Sequence, residues 1–203
     1  MEIPSRVRGM QDIFWEYQRY FTFLKKVARH EFRTNGFTRI TTPILEMKSL
    51  IVHASGEGSD VVTKEMFDFT DKGGREVVMK PESTPGVMRA YLEHMLEEPQ
   101  PVYLYYIEPH FRYDRPQKGR YRQFHQVGAE IIGEEDPILD AKSIYIMKNI
   151  LDGLGLAGTY TIKINSLWVT KEREKYLEEL KAFFDARKHI LDETDLARLE
   201  KNP

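Results

Sequence analysis

A cluster of cationic side chains surrounds one turn of the sequence, within the stretch FRYDRPQKGRYRQFHQVGAE at residues 111–130. Arginine binds phosphate through a planar fork of donors, so several arginines around one point could hold a polyphosphate and stabilise charge during its transfer. The alternative is a solvated loop without a ligand, since charged residues are mostly exposed. Arg112 lies on the predicted strand before the turn and is the better candidate for fixed geometry. The cations are Arg112, Arg115, Lys118, Arg120 and Arg122.

The residues after this turn alternate as a strand, and the even-numbered positions share one face. Gln126 and Glu130 flank Gly128 on that face, about 13 Å apart by the rise of a strand. Since Gly128 has no side chain, an amide and a carboxylate border a gap that would fit a small molecule carrying an amine or an imidazole. Glycine in a strand is equally typical of a bend, in which case Glu130 is an ordinary solvated acid.

A second polar cluster, the segment Pro81-Glu82-Ser83-Thr84, opens a predicted helix. Ser83 or Thr84 is expected to cap that helix, and a ligand clamp is the less favoured interpretation. Gly56-Glu57-Gly58 lacks the pattern of a phosphate-binding glycine loop, and the six histidines have no metal-ligand spacing. We therefore expect no metal site built from side chains.

Composition restricts the class of protein. The 203 residues are 41% hydrophobic and 31% charged with a net charge of −2, which predicts a globular chain whose anion site, if any, is local. The absence of cysteine excludes disulfides and suits a reducing compartment. No apolar run resembles a signal peptide or a membrane span, so we expect a cytoplasmic protein.

The hydrophobic periodicity predicts an α+β fold, because hairpins imply antiparallel strand pairing. The buried face of the helix at 137–151 is predicted to be Ala141, Ile144, Tyr145, Met147 and Leu151. The predicted helices are 12–35, 44–53, 81–96, 137–151 and one that starts at Thr170; the predicted strands are 37–42, 66–69, 76–80, 102–112, 121–132 and 159–165.

The stretch at 111–130 resembles the second signature motif of histidyl-tRNA synthetases. Three other segments resemble motifs of the same family in the same order: Arg8-Gly9-Met10-Gln11-Asp12, residues 36–46 and Lys80-Pro81-Glu82-Ser83-Thr84. The resemblance implies a class II aminoacyl-tRNA synthetase core, an antiparallel sheet flanked by helices, that forms a homodimer through the first motif. We assign residues 1–167 to this core and 168–203 to a helical segment beyond it.

The resemblance also implies a reaction and a set of site residues. The family activates L-histidine with ATP and Mg²⁺ to histidyl-adenylate and transfers the histidyl group to tRNA(His). By position, Arg112 would clamp the α-phosphate and the histidine carboxylate as the catalytic residue, and Arg120 would bind the distal phosphates. Glu130 would pair with the imidazole. Glu82, Thr84 and Gln126 would surround the histidine amino group, and Ser83 is expected to be a further histidine-binding residue.

The sequence departs from the family pattern in ways that bear on activity. The third class II motif, the histidine-specific segment and the anticodon-binding domain are not found in it. Lys80, Ser83 and Trp168 stand where arginine, glycine and glycine are usual. We therefore interpret the chain as the N-terminal part of a synthetase, with weak or no activity alone. The alternatives are a non-catalytic relative that regulates histidine biosynthesis and a histidine-binding dimerisation module.

Overall fold

A computed structural model describes residues 3–56, 59, 61–165, 170–192, 195, 196 and 199. The chain forms two compact units, residues 1–157 and 158–203. The helices are α1 (Trp15–Thr34), α2 (Lys48–Ser55), α3 (Thr84–His94), α4 (Pro137–Gly153) and α5 (Thr170–Asp185), and the strands are β1 (Thr38–Arg39), β2 (Leu45–Met47), β3 (Phe67–Thr70), β4 (Glu76–Met79), β5 (Val102–Phe111) and β6 (Gln123–Ile132). The predicted α+β fold is confirmed.

The larger sheet has the order β1-β5-β6. Strands β5 and β6 pair in antiparallel register over their whole lengths, from Val102 opposite Ile132 to Phe111 opposite Gln123. Alternating apolar and aromatic residues on both strands, separated by a turn, favour this hairpin. The short β1 pairs with β5 in parallel, so this sheet is not purely antiparallel.

The smaller sheet has the order β2-β4-β3 and contains the predicted hairpin of β3 and β4. The prediction of a helix over 44–53 was wrong in its first part, because Leu45 and Met47 pair with β4. The helix α2 starts only at Lys48. Three residues of strand are too short to show periodicity, and their pairing partner is about thirty residues further along the sequence.

One face of the larger sheet is covered by α1 and α4. Its core contains Phe32 stacked on Tyr105 at a ring-centroid distance of 4.9 Å, with Ile146 and Ile150 of α4 packed beside them. The face predicted for α4 was wrong: Ile144, Tyr145 and Met147 are exposed, Ala141 is exposed and Leu151 is only partly buried. Ile146 and Ile150, four residues apart, point to the sheet instead.

The other face of the larger sheet packs against α3, through Val87, Leu104 and Tyr106. This face carries the even-numbered residues of β5 and β6, and therefore the residues singled out in the sequence. The helix α3 begins at Thr84, with Ser83 at the N-cap position and Pro85 in the first turn.

The unit at residues 158–203 contains α5, which begins at Thr170 as predicted. The strand predicted over 159–165 was wrong, because these residues pair with no strand among the described residues and an alternating sequence is not a strand without a partner. The domain boundary predicted after residue 167 and the position of Trp168 fall outside the described residues. No helix in the described ranges combines the length and apolarity of a membrane span.

Candidate active site

The candidate site lies on the face of β5 and β6 that also contacts α3. The hairpin register places Tyr106 opposite Gly128, Glu108 opposite Gln126 and His110 opposite Phe124. Since opposite residues of an antiparallel pair project to the same side, this face collects side chains from both strands. The N-terminal end of α3 adds Glu82 and Thr84 to it.

One end of the site is built around the carboxylate of Glu130. The Thr84 hydroxyl donates a hydrogen bond to Oε1 of Glu130 at 2.7 Å, and the Tyr106 hydroxyl lies 3.5 Å from the same oxygen. Burial and the neighbouring Glu130 raise the pKa of Tyr106 to about 12, so the phenol stays a hydrogen-bond donor at neutral pH. A carboxylate offers about four lone-pair sites, so Glu130 has capacity for a ligand N–H as well.

The gap predicted above Gly128 is filled by Tyr106. A Cβ atom built on Gly128 would lie 2.6 Å from Cε2 of the Tyr106 ring and closer still to Cζ. The interpretation of Gly128 as an opening for a ligand was therefore wrong. The alternative, a bend of the strand at Gly128, was also wrong, because the pairing of β5 with β6 continues unbroken through this residue. Glycine is needed here so that the tyrosine ring can cross the strand toward Glu130.

Replacing Gly128 by alanine is expected to destabilise the protein by about 2–3 kcal/mol, since the ring must move from a packed position. Urea unfolding of the variant measures this. In a Tyr106→Ala background the same change should cost little, because the clashing ring is gone. An equal loss in both backgrounds would contradict this explanation of the glycine.

The other end of the site is built around the guanidinium of Arg112. Its Nε donates to the carbonyl oxygen of Pro81 at 3.0 Å, and its Nη2 lies 3.8 Å from Oε2 of Glu82. The guanidinium also lies over the ring of Phe124, 5.5 Å from its centroid. Ser55 donates to the other oxygen of Glu82 at 3.2 Å. These contacts hold Arg112 and Glu82 in a defined pair at the start of α3.

The cations of the turn do not converge on one point. Arg120 is exposed and pairs with Asp114 at 3.2 Å. Arg122 stacks over Tyr113 at 3.7 Å and donates to the Asp114 carbonyl oxygen, while Arg115 is exposed. Arg112 therefore has the fixed geometry expected of it, whereas the role of Arg120 toward phosphates stays a prediction.

A buried polar network beneath the site was not predicted from the sequence. Lys80 forms an ion pair with Glu108, and Ser83 lies 2.7 Å from Nε2 of His110, with all four residues at most 3% exposed. Burial, and then the charge of Lys80, lower the pKa of His110 to about 4, so its ring is neutral at pH 7. The sequence feature that could have indicated this network is the occurrence of Glu108 and His110 in an otherwise apolar strand. Polar side chains at such positions are expected to be buried with hydrogen-bonding partners.

The structure brings the predicted histidine-binding residues to one face in two pairs, Thr84 with Glu130 and Glu82 with Arg112. Gln126 lies on the same face of β6 by strand alternation. Ser83 is fully buried, so its side chain lies beneath the surface of the site. The expectation that a hydroxyl caps this helix was wrong, because α3 has no side-chain capping hydrogen bond.

A solved structure described as apo Staphylococcus aureus histidyl-tRNA synthetase superposes on this chain with a TM-score of 0.70 and 32% sequence identity, covering 98% of this chain and 46% of that one. A Bacillus halodurans protein described as an ATP phosphoribosyltransferase regulatory subunit/histidyl-tRNA synthetase has a TM-score of 0.66 at 24% identity, which supports the fold alone. The fold is thus that of the class II aminoacyl-tRNA synthetases.

The sequence comparison is more specific. The family model for histidyl-tRNA synthetase matches residues 9–200, and the chain belongs to that family. The histidine--tRNA ligase of Dictyoglomus turgidum is 44% identical over 197 residues, which is 97% of this chain and 48% of that protein. That of Thermosipho africanus is 42% identical over 191 residues. The chain spans about half the length of these curated relatives.

Proposed function

We propose that this chain provides the histidine-binding face, and part of the ATP-binding face, of a histidine--tRNA ligase in the cytoplasm. The observation that carries the proposal is the placement of the Thr84–Glu130 and Glu82–Arg112 pairs on one sheet face. The Glu130 carboxylate would accept an N–H from the imidazole of L-histidine. Glu82, Thr84 and Gln126 would surround the amino group.

The proposed reaction needs no nucleophile from the protein. The carboxylate of histidine attacks the α-phosphorus of ATP, the bond to the β-phosphate oxygen breaks, and pyrophosphate leaves. Arg112 would bind both the carboxylate and the α-phosphate, and it would stabilise negative charge as it develops on the phosphoryl oxygens. Arg120, whose side chain is exposed, would have to leave the partly buried Asp114 to reach the distal phosphates. The histidyl group would then pass to tRNA(His).

Mg²⁺ would arrive with ATP instead of occupying a site made by the chain. Among the described residues there is no group of three or more histidine, aspartate or glutamate side chains that could hold a metal ion. Mg²⁺ is commonly bound through substrate phosphates and water with few protein ligands. When bound it would neutralise phosphate charge.

ATP–pyrophosphate exchange that depends on L-histidine tests the proposed activity on the purified chain. We expect slow exchange above the background of an Arg112→Ala variant. No exchange from folded protein would contradict activation by this chain and favour a histidine-binding dimerisation module. Histidine binding without exchange, together with binding to an enzyme of histidine biosynthesis, would favour a regulatory relative.

The proposal includes a homodimer formed through residues 37–46. Ile44 and Leu45 of this segment and the neighbouring Met47 are each 46% exposed, so they offer apolar surface to a partner chain. We expect a dimeric mass by light scattering at tens of micromolar, and a monomeric mass for Leu45→Lys. Ile190→Lys, at a position in the other unit that is 68% exposed, should remain dimeric. A monomeric wild-type chain would contradict the dimer.

A further inference from the structure

The hydroxyl of Ser83 is used in an unusual way for its position. Ser83 occupies the N-cap of α3, where a serine hydroxyl ordinarily accepts a backbone N–H and stabilises the helix by about 1 kcal/mol. No such bond is present in α3. The Ser83 Oγ lies instead 2.7 Å from Nε2 of His110. This contact joins the start of α3 to β5, and the helix lacks the capping hydrogen bond that the Ser83 hydroxyl could have accepted.

The partner, His110, is fully buried on the face of β5 that carries the site. Its ring stacks on Phe124 at 5.8 Å, and its Nδ1 has no hydrogen-bond partner in the described part of the chain. A buried ring nitrogen without a partner costs free energy, so a purely apolar residue would pack here more cheaply. The polar contact that His110 does make with a side chain is the one with Ser83.

The Ser83–His110 contact rests on a buried ion pair. Glu108 binds Lys80, and its Oε1 accepts the backbone N–H of Thr42 at 3.1 Å. The Ser83 Oγ lies 3.5 Å from Oε2 of the same carboxylate. Three segments distant in sequence are therefore connected through one buried carboxylate. Such a network is costly to bury and strongly destabilising to break on one side, so its geometry is well defined.

Both members of the contact are close to residues of the candidate site. Ser83 lies between Glu82 and Thr84 in the chain. His110 is two residues before Arg112, and both the His110 ring and the Arg112 guanidinium contact the ring of Phe124. A shift of α3 relative to β5 would change the 3.8 Å separation between Arg112 and Glu82.

We infer that Ser83 and His110 form a positioning pair that fixes the start of α3 against β5 and so sets the spacing between Glu82, Thr84 and Arg112. Both residues are fully buried, so they would act through their neighbours without contacting a ligand. The inference rests on the proposed function for the role of these three residues, whereas the joining of α3 to β5 stands on the contacts alone.

The test uses four variants: Ser83→Ala, His110→Leu, His110→Gln and Ile146→Ala. His110→Gln keeps a side-chain nitrogen that can form a hydrogen bond with the Ser83 hydroxyl. Ile146→Ala removes buried packing on the opposite sheet face and controls for a general loss of stability. Amide hydrogen exchange is measured for Val87 to Ala90 in the first turns of α3 relative to α4, and the L-histidine Kd is measured by calorimetry.

We expect Ser83→Ala and His110→Leu to accelerate exchange in α3 relative to α4 and to raise the histidine Kd about tenfold, as loss of one buried hydrogen bond would. His110→Gln should stay close to wild type, and Ile146→Ala should not accelerate exchange in α3 relative to α4 and should leave the histidine Kd unchanged. Unchanged α3 exchange in both Ser83→Ala and His110→Leu would overturn the positioning pair. If the exchange pattern holds but the wild type binds no histidine, the pair stands and the proposed function fails.

Discussion

Replacing Arg112 by alanine is expected to lower histidine-dependent ATP–pyrophosphate exchange by about a hundredfold or more. The guanidinium is held by the Pro81 carbonyl oxygen, the Glu82 carboxylate and the Phe124 ring, so it is oriented before any substrate binds. A group oriented in advance stabilises developing charge without reorganising during the reaction. Arg112→Lys should also lose most of the activity, because lysine lacks the planar fork of donors.

The matched control is Arg115→Ala, which removes the same charge from an exposed position on the turn three residues away. Its exchange rate should stay within about threefold of wild type at moderate salt, since exposed charges are screened. If Arg115→Ala and Arg112→Ala lost activity equally, the summed positive charge of the turn would matter and the position of Arg112 would not. The assignment of Arg112 as the catalytic residue would then be wrong.

Replacing Glu130 by glutamine is expected to abolish measurable binding of L-histidine while leaving ATP binding intact. Glutamine keeps the shape of the side chain and can still accept the Thr84 hydrogen bond, so the sheet should not be disturbed. It removes the charge and presents an NH₂ group as well as a carbonyl toward the ligand. A site built to pair with a ligand N–H discriminates strongly when that pairing is lost.

Calorimetry of Glu130→Gln with L-histidine and separately with ATP measures this selectivity. Glu134→Gln, a change of the same chemistry at an exposed position beyond β6, should bind both ligands as the wild type does. Equal weakening of histidine and ATP in Glu130→Gln would mean that Glu130 supports the fold of the site as a whole. The imidazole assignment would then have to be abandoned.

The sequence predicted the long elements well because their signals are local. The helix expected over 12–35 is α1 at Trp15–Thr34, and the strands expected over 102–112 and 121–132 are β5 and β6. Their length and periodicity outweigh tertiary effects. The strand β2 was predicted as helix because its three residues carry no period and only pairing with β4 defines it.

Burial was harder to predict where a helix has several apolar stripes. In α4 the sequence offers Ile144, Met147 and Leu151 at helical spacing, and equally Ile146 and Ile150. In the structure Ile146 and Ile150 face the sheet and pack beside Phe32 and Tyr105. Helical spacing alone does not indicate which stripe meets the core, because that depends on a partner remote in sequence.

In the candidate site, too, local patterns predicted some features, whereas contacts between residues remote in sequence decided others. The face that carries Gln126 and Glu130 followed from strand alternation, but the occupant of the space above Gly128 did not. Tyr106 fills it because the β5–β6 register places the two residues opposite each other, and register is set by the whole hairpin. The contact between Ser83 and His110 likewise joins residues 27 positions apart, which no local pattern indicates.

Histidine recognition by this chain is tested by calorimetric titration of the wild-type protein with L-histidine, compared with L-phenylalanine and histidinol. Phenylalanine has an aromatic side chain without the imidazole N–H, while histidinol keeps the imidazole and lacks the carboxylate. We expect that one L-histidine binds per chain, that histidinol binds more weakly because it cannot pair with Arg112, and that phenylalanine does not bind detectably. Absence of histidine binding by the folded chain, or equal binding of phenylalanine, would contradict this expectation.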